Sequence, residues 1–264
     1  FSKELFNKYQ IILVILTYFI IAVQVASQLE LGWDAKWFWY IKSLFYTQSQ
    51  TFSELSNYIY NDFHPHLGSF LWAFFRNFSI NEYEYIGRLF YVFFYILGIH
   101  FISNNIYKNK IKNMILFIFL IVIIQKYIYF SGLQEILIFT TLIFISKFIS
   151  IFIVDRKFIN LFFISLCMNL LIWFKAEGIA YAAICFIVVN SISKLKMKSR
   201  IIFNLLFLSA ILFKTLIYGF FKIKINDQPY NLEYLVSLNF EVIVFKLYNI
   251  LIYFSYNSFK SIIL

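Results

Sequence analysis

Of the 264 residues, 62% are hydrophobic and only 14% are charged, too little charge to cover the surface of a soluble domain this size. The net charge of +10 would suit a nucleic-acid binder, but the basic residues sit in short loops between long apolar runs, the positive-inside pattern of a membrane protein. Those runs approach the ~20 residues that cross a hydrocarbon core as helix, and the short alternating segments of a membrane barrel are absent.

The first apolar run covers residues 9–27, behind Lys3 and Lys8. It lacks the small-residue cleavage site of a secretory signal. A long polar interval comes next, so that 28–84 reads as one outer loop. Trp33, Asp34, Lys36, Trp37 and Trp39 gather near its start, and His64, Pro65 and His66 lie further on. Trp37, Ile41, Leu44 and Phe45 recur at helical spacing, with Lys42 and Ser43 on other faces. Pro65 biases His64 toward extended backbone and opens a second helix over 67–78. There Leu67, Phe70, Leu71, Phe74 and Phe75 align, with Ser69, Arg76 and Asn77 elsewhere. A helix this short cannot cross a bilayer, and its amphipathic pattern predicts that it lies in the interface.

Further runs cover 85–103, 114–130, 135–154, 158–174, 178–193 and 201–221, and a last one comes after the polar stretch 222–237. The expected fold is an all-α polytopic membrane protein of about eight spans, a single domain over 1–264 without internal repeats. Cys167 and Cys185 fall inside apolar runs and read as small hydrophobes. Lys126, Lys147, Lys214 and Lys246 read as lysines that snorkel to the headgroups. The chain opens on Phe1 and stops in an apolar stretch at Leu264, so a C-terminal part of a longer protein is expected to be missing.

With the N-terminus inside and 67–78 not crossing, the basic loops 108–112, 156–157 and 194–200 share the side of Lys3 and Lys8, as the positive-inside rule requires. Asp34, Glu54, Asp62, Glu135, Glu177, Asp227 and Glu233 then lie at the outer face. Asp34, among aromatics, suits a general base; the plainer reading is a solvated loop acid beside a tryptophan belt. His64 and His66 suit phosphate or a metal, though two histidines make no zinc site, and a polar helix start explains them equally. Glu135, Lys175 and Glu177 stand at outer span ends, where ionisable groups are either functional or snorkelling. Arg88, one turn into its span, suits a phosphate or a loop acid. Glycine-rich phosphate loops, nucleophile elbows and HExxH motifs are absent.

Taken in order, Gly32-Trp33-Asp34-Ala35-Lys36-Trp37-Phe38-Trp39, His64-Pro65-His66-Leu67 with the helix through Leu71-Trp72-Ala73-Phe74-Phe75, Gly87-Arg88-Leu89, and Trp173-Phe174-Lys175-Ala176-Glu177-Gly178 resemble the GT-C membrane glycosyltransferases. The nearest flavour is the protein mannosyltransferase and aminoarabinose transferase group, family 39. The resemblance covers 9–193. It departs where Ala35 and Lys36 come after the acid in place of a second carboxylate, and where Ala176 replaces a common proline.

The resemblance implies an inverting transfer from a polyprenyl-phosphate-linked sugar to a hydroxyl of a glycan, lipid or protein acceptor. Asp34 would be the catalytic base, and Lys36, His64, His66, Arg88, Glu135, Lys175 and Glu177 would bind substrate. It leaves a divalent cation cofactor open. The expected setting is a bacterial inner membrane with the site facing the periplasm or exterior, among membrane lipids and without nucleic acid. Two other classes compete: a transporter or lipid flippase, which calls for polar or broken helices at the midplane, and a scaffold subunit without a site.

Overall fold

The computed structural model describes residues 8–28, 30–48, 54, 65–79, 81, 83–104, 106–107, 109–124, 130–192, 196–221 and 223. Among these, all regular structure is helical. α1 (Lys8–Ser27) leads through a π-helical turn (Ala35–Tyr40) into α2 (Ile41–Thr47). Then come α3 (Leu67–Arg76), α4 (Glu84–Ser103), α5 (Lys110–Ile124), α6 (Glu135–Asp155), α7 (Phe158–Phe174), α8 (Gly178–Asn190) and α9 (Met197–Phe220). Four of them, α1, α4, α6 and α9, are long and apolar enough to cross a membrane. α5, α7 and α8 reach 15, 17 and 13 residues, and the last apolar run expected from the sequence lies outside the described residues.

The order of packing runs with the chain. α4 stands at the centre, against α1, α3, α5 and α6; α6 pairs with α7, and α7 with α8 and α9. The α6–α7 hairpin turns in two residues. Arg156 takes the left-handed conformation (φ 55°) and donates its N–H to Phe152 O at 3.0 Å, ending α6 in an αL cap. Asp155 then accepts from the Lys157 N–H (3.1 Å) and from Asn160 Nδ2 (2.9 Å), which fixes the start of α7. Lys147 and Lys214 both find protein acceptors. Each donates to a neighbour's carbonyl, Lys147 Nζ to Asn104 O (3.0 Å) and Lys214 Nζ to Ile172 O (2.8 Å). The last carbonyls of a helix lack intrahelical donors and carry the negative end of its dipole, so a lysine satisfies both needs there. Lys126 and Lys246 lie outside the described residues.

One end of the bundle is closed by α2, α3 and the turn 131–134, and Trp72 of α3 is its plug. The indole is 0% exposed. It donates Nε1–H to Glu84 O (3.2 Å) and packs on Tyr40 and Tyr91 at ring separations of 5.6 and 5.9 Å. Gly132 must be glycine on two counts: its φ is +90°, and a side chain there would meet Trp72 and Ala35. Beside the plug, Gln134 Nε2 donates to Tyr91 Oη (2.8 Å), whose hydroxyl donates to Gly68 O (3.2 Å).

Both short helices bury polar residues beside apolar ones and leave some large rings outside. α3 buries Gly68, Ser69, Trp72 and Ala73, while Phe70 and Phe74 of the expected apolar stripe face outward. In α2 and the turn before it, Trp39, Lys42, Ser43 and Phe45 are buried and Trp37 is exposed. The π-helical turn accounts for the second case: its wider winding rotates the residues of α2 out of the 3.6-residue register.

Arg88 joins this layer to the bundle. Its guanidinium is 0% exposed and forks onto Glu84 through Nε and Nη2, both at 2.7 Å. Nη1 donates to Phe130 O (2.9 Å) and Nη2 to Gln28 O (3.5 Å). One side chain thus ties the exit of α1, the start of α4 and the entry to α6. Arg88→Ala leaves Glu84 nearly buried without its cation and is expected to cost about 3–5 kcal/mol. Arg88→Lys should rescue little, because an ammonium lacks the fork. Thermal unfolding of the detergent-solubilised protein measures both.

Candidate functional site

The clamp and the plug bring three chain segments to one place. Gly32 donates its N–H to Ser131 O at 2.9 Å, which holds the segment after α1 against the entry to α6. Two residues on, Asp34 stands half-buried at the N-cap position of the π-helical turn, with φ −60° and ψ −37°. Its carboxylate makes no capping hydrogen bond, so it is not committed to the helix end as an N-cap aspartate usually is.

Glu135 opens α6 and Lys175 comes directly after α7, and the α6–α7 pairing sets their ends side by side. Lys175 Nζ donates to Glu135 Oε1 at 2.5 Å and lies 3.7 Å from Glu177 Oε1. The charge of Asp34 also acts on this ammonium. Burial alone would lower the Lys175 pKa; the Glu135 hydrogen bond and the charges of Glu135, Glu177 and Asp34 outweigh it, and the net shift is upward. The turn that carries Lys175 and Glu177 is fixed by Gly178. Its N–H donates to Lys175 O (3.0 Å), and its α-carbon lies so close to Leu171 O that a side chain has no room.

Glu135, Lys175 and Glu177 therefore form one cluster, and the charge of Asp34 acts on the same ammonium. Three carboxylates against one ammonium leave two negative charges in excess. Glu135 and Glu177 are open to solvent (side chains 50% and 61% exposed), whereas Lys175 is mostly covered (19%). Such a group can accept a proton or the hydroxyls of a substrate. Among the described residues no three of His, Cys, Asp and Glu come together as ligands for a metal ion.

The other residues singled out from the sequence lie elsewhere. Lys36 is exposed, 5.8 Å from the centre of the Trp37 ring, and makes no ion pair with a described residue. His66 and Arg88, expected to meet substrate, are interior groups. His66 is 1% exposed with its ring 5.7 Å from that of Tyr218, and the Arg88 guanidinium is spent on the clamp. His64, Asp62, Asp227 and Glu233 lie outside the described residues. Sequence reasoning missed Trp72, Gln134 and Tyr91, which shape the floor of this layer; the one signal for them was Ser131-Gly132, a turn against which a large ring can lie.

Comparison with protein-family models, with curated proteins and with solved structures finds no match.

The raised pKa of Lys175 has a definite sign. Its contribution to stability is complete below the ordinary lysine range and is lost as pH rises through the higher folded value. The melting-temperature difference between the protein and Lys175→Gln should hold steady below the ordinary lysine range and shrink as pH rises beyond it. Differential scanning fluorimetry across that range measures it.

Proposed function

We propose that the chain is the membrane core of an inverting glycosyltransferase, in line with its resemblance to the GT-C enzymes. The observation that supports the reading is the ion-paired group Glu135, Lys175 and Glu177, on whose ammonium the charge of Asp34 also acts. In the proposed reaction Asp34 takes the proton of an acceptor hydroxyl. The oxygen attacks the anomeric carbon of a polyprenyl-phosphate sugar, the bond from that carbon to the phosphate oxygen breaks, and the lipid phosphate leaves. Glu135 and Glu177 hold hydroxyls, and Lys175 fixes their positions.

The proposed topology has about eight crossings, the basic loops inside and the cluster at the outer face. The outward apolar face of α3, with Phe70 and Phe74 exposed, supports its lying flat in the interface. The proposed setting is a bacterial inner membrane, with a glycan, lipid or protein as acceptor.

The test is Asp34→Asn, which keeps the shape and removes the base. Transfer of labelled sugar from a polyprenyl-phosphate donor to an acceptor should drop by about 10²–10⁴-fold, with the melting temperature unchanged. Glu135→Gln is the control for the cluster: a solvated ion pair is worth at most about 1 kcal/mol, so its protein should remain folded. Transfer by Asp34→Asn within a few-fold of the unaltered protein rejects the assignment.

A further inference from the structure

The two ends of the bundle differ in charge, and the contacts between helices fix which termini share an end. Gln10 of α1 lines a small pocket with Ser103 and Asn104 at the end of α4 and with Asn113 of α5. Lys147 Nζ reaches Asn104 O (3.0 Å), which brings the second half of α6, and so the α6–α7 turn, to the same end. Lys214, far along α9, meets Ile172 O near the end of α7 (2.8 Å), so the start of α9 lies with the start of α7. Asn190 at the close of α8 agrees, donating to Asn204 Oδ1 on α9 (3.0 Å).

Three exposed cationic pairs gather at this end: Lys110 and Lys112 opening α5, Arg156 and Lys157 in the α6–α7 turn, and Lys196 and Lys198 at the start of α9. Lys8 of α1 stands with them, also exposed. None forms an ion pair with a described residue. Asp155, the one acid here among the described residues, is already engaged by Asn160 and the Lys157 N–H. The opposite end exposes Glu30, Glu135 and Glu177 against Lys36. The cationic end thus attracts an anionic partner and the other does not.

The surroundings of the pairs say which anion. Within one helical turn of each lie large apolar side chains that are themselves exposed: Ile111 and Ile115, Val154 (84%) and Phe158, Met197 and Ile201. A water-soluble acidic partner would meet the charges and leave that apolar surface uncovered. A phospholipid meets both, with its phosphate level with the ammonium groups and its acyl chains along the turn beneath. We propose that this end of the bundle binds anionic phospholipids, each cationic pair holding one headgroup. The proposal stands apart from glycosyl transfer and does not depend on it.

The test uses the whole chain in zwitterionic detergent, titrated with phosphatidylglycerol or with phosphatidylcholine of the same acyl chains, and bound lipids are counted by native mass spectrometry. Phosphatidylglycerol is expected to bind at least about ten-fold more tightly. Neutralising one pair, as in Lys110→Gln with Lys112→Gln or Lys196→Gln with Lys198→Gln, should remove one tightly bound lipid per molecule. Arginine at the same positions should keep it. The comparison of the two lipids needs no variant, so it holds even if a neutralised protein fails to fold. Equal binding of the two lipids, an undiminished preference once all three pairs are neutralised, or the same loss from Lys36→Gln at the opposite end would each overturn the proposal. Glycerol 3-phosphate binding as tightly as the lipid would also overturn it, and would give the patch to a soluble acidic partner.

Discussion

The fold turns on one buried guanidinium. Placing an arginine at 0% exposure strips it of water, and Coulomb attraction to one carboxylate rarely offsets that by itself. Here the offset is shared among Glu84, which takes the fork, and two backbone carbonyls. Glu84 gains as well: it stands in the first turn of α4, where the helix dipole favours an anion, and four residues before its partner. The carbonyls of Gln28 and Phe130 lie where α1 has ended and α6 has not begun. Backbone that leaves a helix has no internal donor, and within an apolar protein it must find one. Arg88 supplies it to two such segments at once.

What the clamp fixes, the aromatic layer fills. Trp72 meets Gly87 on α4 and Gly132 on the turn before α6, and at both places a side chain would collide with it. The indole is thus seated by two glycines and held by one carbonyl. This explains the faces of α3: the space beneath is taken by one large ring, so Gly68, Ser69 and Ala73 turn inward and the phenylalanines turn out. With the layer seated, the Gly32–Ser131 bond sets the position of Asp34 relative to Glu135, which lies four residues past Ser131.

The helices were legible because their signal is repetitive. Runs of apolar residues, the short length of the 67–78 segment, and the turns at 131–134 and 175–178 all rest on many residues agreeing. That Glu135 and Glu177 stand at neighbouring helix ends was readable from where the apolar runs begin and end. Single polar residues were harder. Arg88, Lys147 and Lys214 all end on backbone carbonyls, and a carbonyl has no signature in the sequence. His66 reads as a polar helix start, and it is buried because Tyr218, far along the chain, packs on it. The π-helical turn was invisible for a related reason: nothing in Ala35–Tyr40 departs from an ordinary helical pattern, yet it moved Trp37 outward and Lys42 inward.

These placements narrow the proposed chemistry. A departing phosphate needs positive charge that is not already spent. Arg88 is closed inside the clamp, His66 is in the core, and Lys175 is held by Glu135 with Glu177 close by. An ammonium neutralised by carboxylates attracts a phosphate weakly, and the excess negative charge around it would repel one. Lys36 is exposed, unpaired among the described residues and two positions from Asp34. In the proposed transfer, the segment after α1 therefore carries both poles, with Asp34 receiving the acceptor's proton and Lys36 facing the leaving group, while Lys175 and its two glutamates serve as a rigid rim. An enzyme so arranged separates charge along one helical turn, and the π-helical geometry of that turn sets how far apart its base and its cation stand.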